Sequence, residues 1–294
     1  MLEGTKIFAE SWNVAWRKAS PGAILQDTET EFTVVKNSFR YWAADPFLFE
    51  YKDDVYIFSE LYDYIRRRGI LGYYKLSGQG KAKWTPVIVE NYHMSYPYIF
   101  RVGQDIYIMP EANASETLYV YKTVRFPDKW EKCKVLRNHK KYADTTPFQW
   151  NGKNRALTYQ VKDPYHPQLW LLDLDNEAND VQLNLPRVER RRSAGKVFAL
   201  NEKNIRPAQN CVEGYGKGLI FYEYMIAENG TYSETEVKEL FPEQLRLSEP
   251  LYLDGMHTYN CSEHYEVVDI KTRRFNALNL FFRFFGKIAD AIKR

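Results

Sequence analysis

One short pattern of apolar and polar positions recurs along the chain. Each copy is an aromatic, apolar run, a polar turn, and a second run rich in Tyr, Ile, Val and Phe, which is the composition of two paired strands. The clearest copies open at Asp45-Pro46-Phe47 and Tyr96-Pro97-Tyr98, 51 residues apart, and align without a gap. Further copies open at Thr146-Pro147, at Arg206-Pro207 and, in degenerate form, at His257-Thr258. Each copy predicts a β-hairpin.

Repeats spaced by about fifty residues are typical of propeller blades. Additional strands that would complete a blade follow the hairpins, as in Leu71–Leu76 and Val87–Glu90 after the first one. We therefore predict an all-β, five-bladed β-propeller over residues 1–270. A β-sandwich with similar hairpins stays open as an alternative, because strand spacing alone does not exclude it.

The hairpin pattern predicts which polar side chains lie close together in the folded protein. Antiparallel pairing places the opening residue of each copy beside its closing residue. In a propeller the innermost strands surround the axis, so these residues meet at one end, which we call the mouth. The opening residues are Asp45, Tyr96, Asp144 to Thr146, Arg206 and His257, and the closing residues are Glu60, Glu111, Gln160 and Glu223. A concave mouth with acids, an arginine and a histidine predicts a functional site, unless the acids only cap turns or pair with arginines as framework.

Composition fits one globular body. The chain has 294 residues, of which 16% are aromatic, and it is long enough to bury a large single core. Cys133, Cys211 and Cys261 lie far apart, so neither a disulfide framework nor a zinc site is indicated. The start, Met1–Lys6, lacks the basic and then apolar pattern of a signal peptide. We therefore expect a cytoplasmic protein.

The C-terminal segment, residues 271–294, has a different character. Polar residues recur every three or four positions from Arg273 onward, beside a broad phenylalanine-rich apolar face, which predicts an amphipathic helix. The segment carries seven Lys or Arg against one Asp, whereas the whole chain has a net charge of +3. We expect it to bind an anionic membrane surface from the cytoplasmic side. Packing on the propeller or on a dimer partner is the alternative, because periodicity and charge do not distinguish a lipid from a protein surface.

Two further basic clusters, Arg66–Arg68 and Arg190–Arg192, do not predict nucleic-acid binding. They are short and lack a recognised motif with interleaved aromatic residues. Such clusters more often lie on solvent-exposed surfaces without a binding function. If they overhang the mouth, their guanidinium groups are suited to hold a diphosphate.

Several motifs together resemble a known family. They are Trp42-Ala43-Ala44-Asp45-Pro46-Phe47, Ser95-Tyr96-Pro97, Met109-Pro110-Glu111, Thr145-Thr146-Pro147, Arg206-Pro207-Ala208-Gln209-Asn210 and His257-Thr258-Tyr259-Asn260. Over roughly residues 5–268 the chain resembles the N-terminal domain of plant glucosamine inositolphosphorylceramide transferases and its free-standing bacterial relatives. In the plant proteins a separate exostosin-like transferase domain follows, so the resemblance implies a glycan-related function and leaves catalysis open.

More distantly, the repeats are similar to the five-bladed family 43 glycoside hydrolases. That similarity implies that Asp45 matches their first-blade catalytic base and that Asp144 lies near their third-blade modulating acid. Those enzymes place a general-acid glutamate at the opening of the fourth blade, where this chain has Arg206. A guanidinium cannot deliver the proton that an ordinary glycosidic leaving group needs, but it stabilises a departing phosphate. The difference favours transfer of a phosphate-activated sugar over hydrolysis.

We therefore predict a glycosyltransferase that moves a hexosyl or pentosyl group from a nucleotide- or phosphate-activated donor to a glycan or lipid-linked acceptor in cell-surface polysaccharide or glycolipid synthesis. The predicted catalytic residues are Asp45 as base or nucleophile, Glu111 as a tuning acid and Arg206 as phosphate ligand, and the predicted substrate-binding residues are Glu60, Tyr96, Asp144, Gln209, Glu223 and His257. Two alternatives stay open: a hydrolase whose acid is Glu111 or Glu223, and a non-catalytic carbohydrate-binding propeller. No metal is assigned, because a calcium ion near His257 rests on analogy alone.

Overall fold

The computed structural model describes residues 8–76, 82–160, 167–275 and 291. Its strands in chain order are β1 (Phe8–Lys18), β2 (Thr33–Val34), β3 (Tyr41–Tyr51), β4 (Asp54–Asp63), β5 (Arg68–Lys75), β6 (Thr85–Ile88), β7 (Ser95–Val102), β8 (Asp105–Glu111), β9 (Thr117–Arg125), β10 (Lys129–Asn138), β11 (Tyr142–Trp150), β12 (Lys153–Gln160), β13 (Gln168–Asp173), β14 (Val181–Leu183), β15 (Arg192–Ser193), β16 (Phe198–Leu200), β17 (Lys203–Asn210), β18 (Gly218–Ile226), β19 (Tyr232–Leu240), β20 (Leu253–Gly255), β21 (Tyr259–Cys261) and β22 (Tyr265–Phe275). Short 3-10 helices lie at Ala23–Leu25, Asn113–Ser115, Glu177–Asn179, Val188–Arg190 and Pro242–Gln244.

The strands form five antiparallel sheets, and each sheet is one blade. β3 to β6 form blade 1, β7 to β10 blade 2, β11 to β14 blade 3, and β15 to β19 blade 4. Blade 5 combines both ends of the described chain, because β1 lies between β2 and β22. β1 and β22 pair at eleven successive positions, from Phe8 opposite Phe275 to Lys18 opposite Tyr265. The N-terminal strand therefore closes the ring, and the predicted five-bladed β-propeller is confirmed.

The blades pack face to face through β-branched and aromatic side chains. β4 is typical, since seven consecutive residues from Val55 to Leu61 are buried and both faces of the strand are therefore covered. Between blades 1 and 2 the cluster includes Phe47, Phe58 and Tyr96, none of which has exposed surface. Such close packing fixes the inner strands around the axis and thereby the side chains at their ends.

Blade 4 differs from the sequence prediction by one strand. The prediction placed Arg206 to Glu223 in the inner hairpin, but these residues belong to β17 and β18, the second and third strands of the blade. The inner strand is split into β15 and β16, which pair with opposite ends of β17. Pro207 lies opposite the interruption, where its carbonyl accepts a hydrogen bond from the Ala194 N–H at 3.1 Å. The proline therefore marks a break in the neighbouring strand and not the opening of its own blade.

The predicted C-terminal amphipathic helix lies outside the described residues except at its beginning. Residues 271–275 belong to β22, so the strand extends past the predicted boundary at residue 270. Within the ranges that the structure describes, no helix has both the length and the apolar character that a membrane crossing requires.

Candidate active site

Blades 1, 2 and 3 carry the same irregularity near the start of their inner strands. In each blade the register between the first and second strands shifts by a bulge. The residue at the bulge has a left-handed backbone, with φ of 50° at Asp45, 47° at Tyr96 and 49° at Asp144. Such a backbone costs about 1–2 kcal/mol per non-glycine residue and is found at sites where a side chain is re-aimed. Three of the predicted opening residues therefore occupy equivalent bulges at the mouth.

Carboxylates connect these bulges across the blades. Asp45 Oδ2 accepts a hydrogen bond from the backbone N–H of Tyr96 at 3.1 Å. Glu111 Oε2 accepts one from the backbone N–H of Asp144 at 3.1 Å. Asp269, on β22 of blade 5, completes the series because its Oδ2 accepts a hydrogen bond from the Asp45 N–H at 3.0 Å. The acids of blades 5, 1 and 2 thus each bind the backbone of the next blade and converge on the axis.

His257 lies between two of these acids. Its Nδ1 is 2.6 Å from Asp269 Oδ2, and its Nε2 is 3.6 Å from Asp45 Oδ1. The Thr258 hydroxyl donates to Asp45 Oδ1 at 2.9 Å. Burial opposes the charged imidazole, but the carboxylates of Asp269 and Asp45 outweigh it and raise the pKa of His257 above its usual value.

Asp45 has the acid–base properties of a general base. It is 4% exposed, and burial raises its pKa to about 6, while His257 opposes the rise and Asp144 and Asp269 add to it. A carboxylate whose pKa lies close to neutral pH can accept a proton and release it again under the same conditions. The position and the chemistry of Asp45 are therefore compatible with the role that the sequence predicts.

The guanidinium at the mouth belongs to Arg192 of blade 4. Its Nε donates to Asp144 Oδ2 at 2.5 Å and its Nη2 to Glu111 Oε2 at 3.3 Å. Gln209 Nε2 donates to the same oxygen of Asp144 at 2.7 Å. Burial and the neighbouring Asp144 raise the pKa of Glu111 well above its usual range, and Arg192 offsets only part of this. Burial therefore favours the protonated form of Glu111, and Asp144 is the main charge partner of Arg192.

Arg206 and Glu223 lie elsewhere in blade 4, which corrects their predicted placement at the mouth. Arg206 is 1% exposed, and its Nε is 2.6 Å from Glu234 Oε2 on β19. Glu223, on the third strand, pairs with Lys203 at 2.7 Å. Both residues connect strands within the blade. The physical reason is the one-strand shift of blade 4, which moves the Arg206–Glu223 hairpin away from the axis.

The remaining predicted residues except Gln160 come together at the mouth. They are Asp45, Glu60, Tyr96, Glu111, Asp144, Thr145, Thr146, Gln209 and His257, and all of them are buried. Gln160 is also buried, but it lies opposite Tyr142. Tyr159 holds the place in blade 3 that Glu60 and Glu111 hold in blades 1 and 2. Tyr96 acts across the axis, since its hydroxyl is 2.7 Å from Thr146 Oγ1 and accepts a hydrogen bond from the Gly195 N–H at 2.7 Å. Its side chain therefore joins blades 2, 3 and 4.

An aromatic wall, formed by Trp12 and Tyr215, was missed by the sequence prediction. Trp12 stacks on the His257 ring with centroids 3.9 Å apart and planes at 19°, and Tyr215 meets the same ring edge-on at 5.2 Å. Tyr215 is 44% exposed, and its ring lies 5.4 Å from the guanidinium carbon of Arg192. An aromatic face beside hydrogen-bonding acids is suited to bind an amphipathic ring such as a sugar. No periodicity in the sequence relates these two residues to the hairpins.

Arg192 was predicted only conditionally, as part of the Arg190–Arg192 cluster. Asp269 was also missed, although the sequence contains a signal for it. It lies on the second strand of blade 5, in the place that Glu60 and Glu111 hold in blades 1 and 2. The degenerate fifth repeat hides this correspondence. Arg192 stands out in the sequence only as part of a loop cluster, because the split inner strand of blade 4 does not show the repeated pattern.

Asp45, His257 and Asp269 could also be considered as metal ligands. Their ligand atoms lie within 4.8 Å of one another, and all three side chains are buried. However, Asp269 Oδ1 accepts the backbone N–H groups of His257 and Thr258 at 2.9 Å each, and Asp269 Oδ2 is paired with the imidazole. These bonds satisfy the carboxylates without a cation, so we assign no metal.

The fold is a five-bladed β-propeller with a carboxylate-rich mouth, and solved propellers share this fold. The catalytic domain of a GH62 α-L-arabinofuranosidase from Coprinopsis cinerea is similar with a TM-score of 0.52 and 8% identity, over 90% of this chain and 98% of that one. A GH43 β-xylosidase/α-arabinofuranosidase from a compost microbial metagenome has a TM-score of 0.53 and 10% identity, over 81% of this chain and 94% of that one. At such identities the likeness shows the fold alone.

The sequence profile of the family described as glucosamine inositolphosphorylceramide transferase 1, N-terminal, matches residues 9–262, and the chain belongs to this family. It is 28% identical over 208 residues to glucosamine inositolphosphorylceramide transferase 1 of Arabidopsis thaliana, which is 66% of this chain and 27% of the plant protein. It is 27% identical over 236 residues to the protein of that name from Oryza sativa subsp. japonica, covering 76% of this chain and 31% of the relative. The chain thus spans less than a third of the curated relatives it matches.

Proposed function

We propose that the mouth transfers a sugar from a phosphate-activated donor to a glycan or lipid-linked acceptor. The observation that carries the proposal is the presence at one mouth of Asp45, an acid with a pKa of about 6, and of the Arg192 guanidinium of blade 4, which is bound to Asp144. The family, which is named after a transferase, supports glycosyl transfer as the reaction class. Cell-surface polysaccharide or glycolipid synthesis is the process to which we assign it.

Arg192 takes the role that the sequence prediction gave to Arg206. A guanidinium has five N–H donors, and the contacts of Arg192 with Asp144 and Glu111 use two of them. The remaining donors of the guanidinium are suited to bind a phosphate. Arg192 therefore stabilises the negative charge that develops on the departing phosphate.

Asp45 acts on the acceptor. In an inverting reaction its carboxylate takes the proton of the acceptor hydroxyl, the acceptor oxygen bonds to the anomeric carbon, and the phosphate leaves with the electrons of the broken bond. In a retaining reaction the Asp45 carboxylate bonds to the anomeric carbon as the phosphate leaves, and the acceptor oxygen then displaces Asp45 while its proton passes to the departed phosphate. The exposed ring of Tyr215 stacks against the sugar in either case, and the buried ring of Trp12 holds the His257 imidazole in place.

The proposal is tested with Asp45→Asn. Purified protein is incubated with nucleoside-diphosphate sugars and prenyl-phosphate sugars together with lipid-linked acceptors, and the glycolipid product is measured by mass spectrometry. We expect the variant to lose about 10²–10⁴-fold in turnover, because the base is removed while its shape is kept. The matched control is Asp53→Asn in the exposed β3–β4 turn, which we expect to leave turnover unchanged. Full turnover by Asp45→Asn would contradict the assignment.

Hydrolysis is the second candidate, favoured by the burial of Glu111 at the mouth, which raises its pKa and favours its protonated form. Glu223 does not share this support, because it pairs with Lys203. Release of sugar from aryl glycosides without a phosphate donor, and its loss in Glu111→Gln, would support a hydrolase. Glycan binding without turnover of any donor, retained in Asp45→Asn, would instead support a carbohydrate-binding propeller.

We also propose that residues 276–294 attach the protein to the cytoplasmic face of an anionic membrane. β22 carries Asp269 at the mouth and runs six residues further to Phe275, a distance of about 20 Å at the usual rise per strand residue. The basic, phenylalanine-rich segment therefore starts on the mouth side of the propeller. Attachment there brings a lipid-linked acceptor close to Asp45.

Flotation with anionic liposomes tests the attachment. We expect the full chain to float, and a chain lacking residues 276–294 to remain at the bottom of the gradient with its propeller folded. A variant with Phe281, Phe282 and Phe285 replaced by Ser keeps the charge, and we expect it to float only at low salt, since electrostatic attraction alone is screened. Equal flotation of all three proteins would contradict the proposal.

A further inference from the structure

The two ends of the propeller axis differ in charge. The mouth end carries the connections that lead into the inner strands and the turns between the second and third strands of each blade, and the other turns lie at the opposite end. The described mouth-end loops contain eleven Lys or Arg against six Asp or Glu, and they are residues 35–40, 64–67, 89–94, 112–116, 139–141, 167, 184–191, 211–217 and 241–252. The described loops of the opposite end contain two Lys against eleven Asp or Glu, and they are residues 19–32, 52–53, 76, 82–84, 103–104, 126–128, 151–152, 174–180, 201–202, 227–231 and 262–264. The mouth end is therefore the electropositive end of the molecule.

Exposed apolar side chains are concentrated at the same end. Among the residues that the structure describes, four aromatic side chains are exposed, and all four lie in mouth-end loops: Phe39, Tyr215, Phe241 and Tyr252. The described loops of the opposite end contain no exposed large apolar side chain. Exposed apolar groups that gather on one electropositive surface indicate an interaction surface.

One cluster at the mouth end, the blade 1 cluster, consists of Phe39, Arg40, Ile65, Arg66 and Asp63. Arg40 Nη2 and Arg66 Nη1 each lie 2.7 Å from Asp63 Oδ2, and more than a third of each arginine side chain is exposed. The two guanidinium groups share one carboxylate, so the cluster keeps one positive charge. Phe39 is 59% exposed and Ile65 is 41% exposed, and each directly precedes one of the arginines.

A second cluster of the same kind, the blade 5 cluster, consists of Lys217, Tyr252, Asp254 and Arg273. Arg273 Nε lies 3.0 Å from Asp254 Oδ2, and Lys217 Nζ lies 3.3 Å from Asp254 Oδ1. Two cations again share one carboxylate and leave a positive charge. Tyr252 precedes Asp254 by two residues and is 66% exposed.

The two clusters lie beyond the mouth on different blades. Asp63 follows Glu60 by three residues on β4, and Arg273 follows Asp269 by four residues on β22. At the usual rise per strand residue, each cluster therefore projects about 10–13 Å past the acids of the mouth. An exposed ring beside a cation suits the boundary of a lipid bilayer, where the ring enters the apolar edge and the cation meets lipid phosphates. Single rings on separate blades, without a groove that joins them, fit a fluid surface better than a folded acidic partner.

We propose that the mouth end of the propeller docks on an anionic membrane through the blade 1 and blade 5 clusters. Their rings enter the boundary of the bilayer, and the positive charge left in each cluster binds lipid phosphate groups. The mouth then opens toward the bilayer. The clusters add to the proposed attachment of residues 276–294 and set the orientation of the propeller, because stable binding at a membrane surface takes more than one weak contact. This inference rests on that attachment and does not depend on the reaction at the mouth.

Hydrogen exchange of the full chain tests the orientation. Exchange of backbone amides is followed by mass spectrometry with vesicles of phosphatidylcholine and phosphatidylserine, and with vesicles of phosphatidylcholine alone. We expect the phosphatidylserine vesicles to slow exchange in the mouth-end loops 35–40, 64–67 and 241–252 and to leave the opposite loops 52–53, 174–180 and 227–231 unchanged. Equal protection of both ends would overturn the proposal. Protection confined to residues 276–294 would overturn the docking and leave the attachment of that segment in place.

Partitioning of full-chain variants onto the same vesicles tests the rings. We expect Phe39→Ser combined with Tyr252→Ser to lower the partition coefficient about tenfold, because two exposed rings no longer enter the bilayer. The matched control is Val102→Ser combined with Met225→Ser. These residues are 61% and 63% exposed and lie near the opposite end, so we expect wild-type partitioning. Equal losses in the two variants, or wild-type partitioning of the ring variant, would overturn the proposal.

The charges are tested by Arg66→Gln combined with Arg273→Gln. We expect about tenfold weaker partitioning at low salt and a smaller difference at high salt, since the attraction to the surface is screened. Lys52→Gln combined with Lys129→Gln removes the same charge at the opposite end and should partition as the wild type does. Equal effects of the two variants would overturn the proposal.

Failure of the docking and failure of the proposed reaction are distinguishable. Absence of binding by the wild-type chain to either kind of vesicle would overturn the docking together with the attachment of residues 276–294. Protection of the mouth-end loops, with weaker partitioning of the ring variant, supports the docking even where no sugar donor is turned over. That second result would reject the proposed reaction alone.

Discussion

His257 makes the stability of the propeller sensitive to pH. Its imidazole is held between Asp269, at 2.6 Å, and Asp45, at 3.6 Å. These carboxylates raise its folded-state pKa above the unfolded value, which is about 6.5. A group of this kind stabilises the fold fully below the unfolded pKa, and the stabilisation is lost as the pH rises through the folded pKa.

We therefore expect the free energy of unfolding to fall as the pH rises above about 6.5 in the wild type, and to fall less in His257→Gln. Urea unfolding at intervals from acidic to basic pH measures the difference. His264→Gln is the matched control, because His264 is an exposed residue whose ring lies 3.8 Å from Glu50. Identical pH profiles for the wild type and His257→Gln would contradict this account.

At the residue scale, repeat position predicted much of the mouth. It could not tell which arginine of blade 4, Arg192 or Arg206, lies there. Asp45, Glu60, Glu111 and His257 follow the hairpin pattern and come together in the structure. Arg206 also follows a proline-containing pattern, yet it is buried against Glu234 within blade 4. Which guanidinium reaches the axis depends on pairing between strands that are distant in sequence, and that information is not local.

At the scale of the strand, blade 4 has a glycine at the break in its inner strand, where blades 1 to 3 have a bulge. Gly195 lies between β15 and β16 and has a φ of 139°, where blades 1 to 3 have Asp45, Tyr96 and Asp144 in left-handed conformations. A Cβ at Gly195 would lie only 1.9 Å from the carbonyl oxygen of Tyr259 in blade 5. The inner strands of blades 4 and 5 therefore approach each other more closely than a side chain permits.

We expect Gly195→Ala to lower the free energy of unfolding by about 3 kcal/mol or more, because steric overlap with backbone adds to conformational strain. Gly103→Ala is the control. Gly103 has a φ of 59°, and a Cβ added there would meet no atom of the described chain within 4 Å, so we expect this variant to lose only about 1 kcal/mol. Chemical unfolding of both variants measures the difference, and equal losses would show that the contact at Tyr259 is unimportant.

The elements themselves were predictable where the two-strand pattern is regular. The hairpins of blades 1, 2 and 3 each consist of two apolar, aromatic runs around a short polar turn, and they form as expected. The split strand of blade 4 is short and irregular, so its residues show no period that a sequence pattern can detect. The pairing of β1 with β22 could likewise not be predicted from the sequence pattern, because it joins residues more than 240 positions apart.

At the scale of the whole molecule, the ring depends on β1. This strand pairs with β22 at eleven positions and also carries Trp12, which stacks on His257. Without it, blade 5 loses its third strand and β22 becomes an exposed edge.

We expect deletion of residues 1–18 to prevent formation of a stable monomer, because the ring cannot close and an apolar blade face is exposed. Size-exclusion chromatography and circular dichroism measure the outcome. Deletion of residues 1–7, which precede β1, is the control and should give a folded monomer. A folded, monomeric product after deletion of residues 1–18 would show that closure does not require β1.

The pairing of Phe8 with Phe275 has a practical consequence for protein engineering. These two residues are direct antiparallel partners, so their Cα atoms are separated by only about 5 Å. A short linker can join them, and new termini can then be opened at an exposed turn such as Asn151-Gly152 between β11 and β12. Such a circular permutant rebuilds the same ring with its free ends on another blade, which makes it possible to relocate an appended segment relative to the mouth.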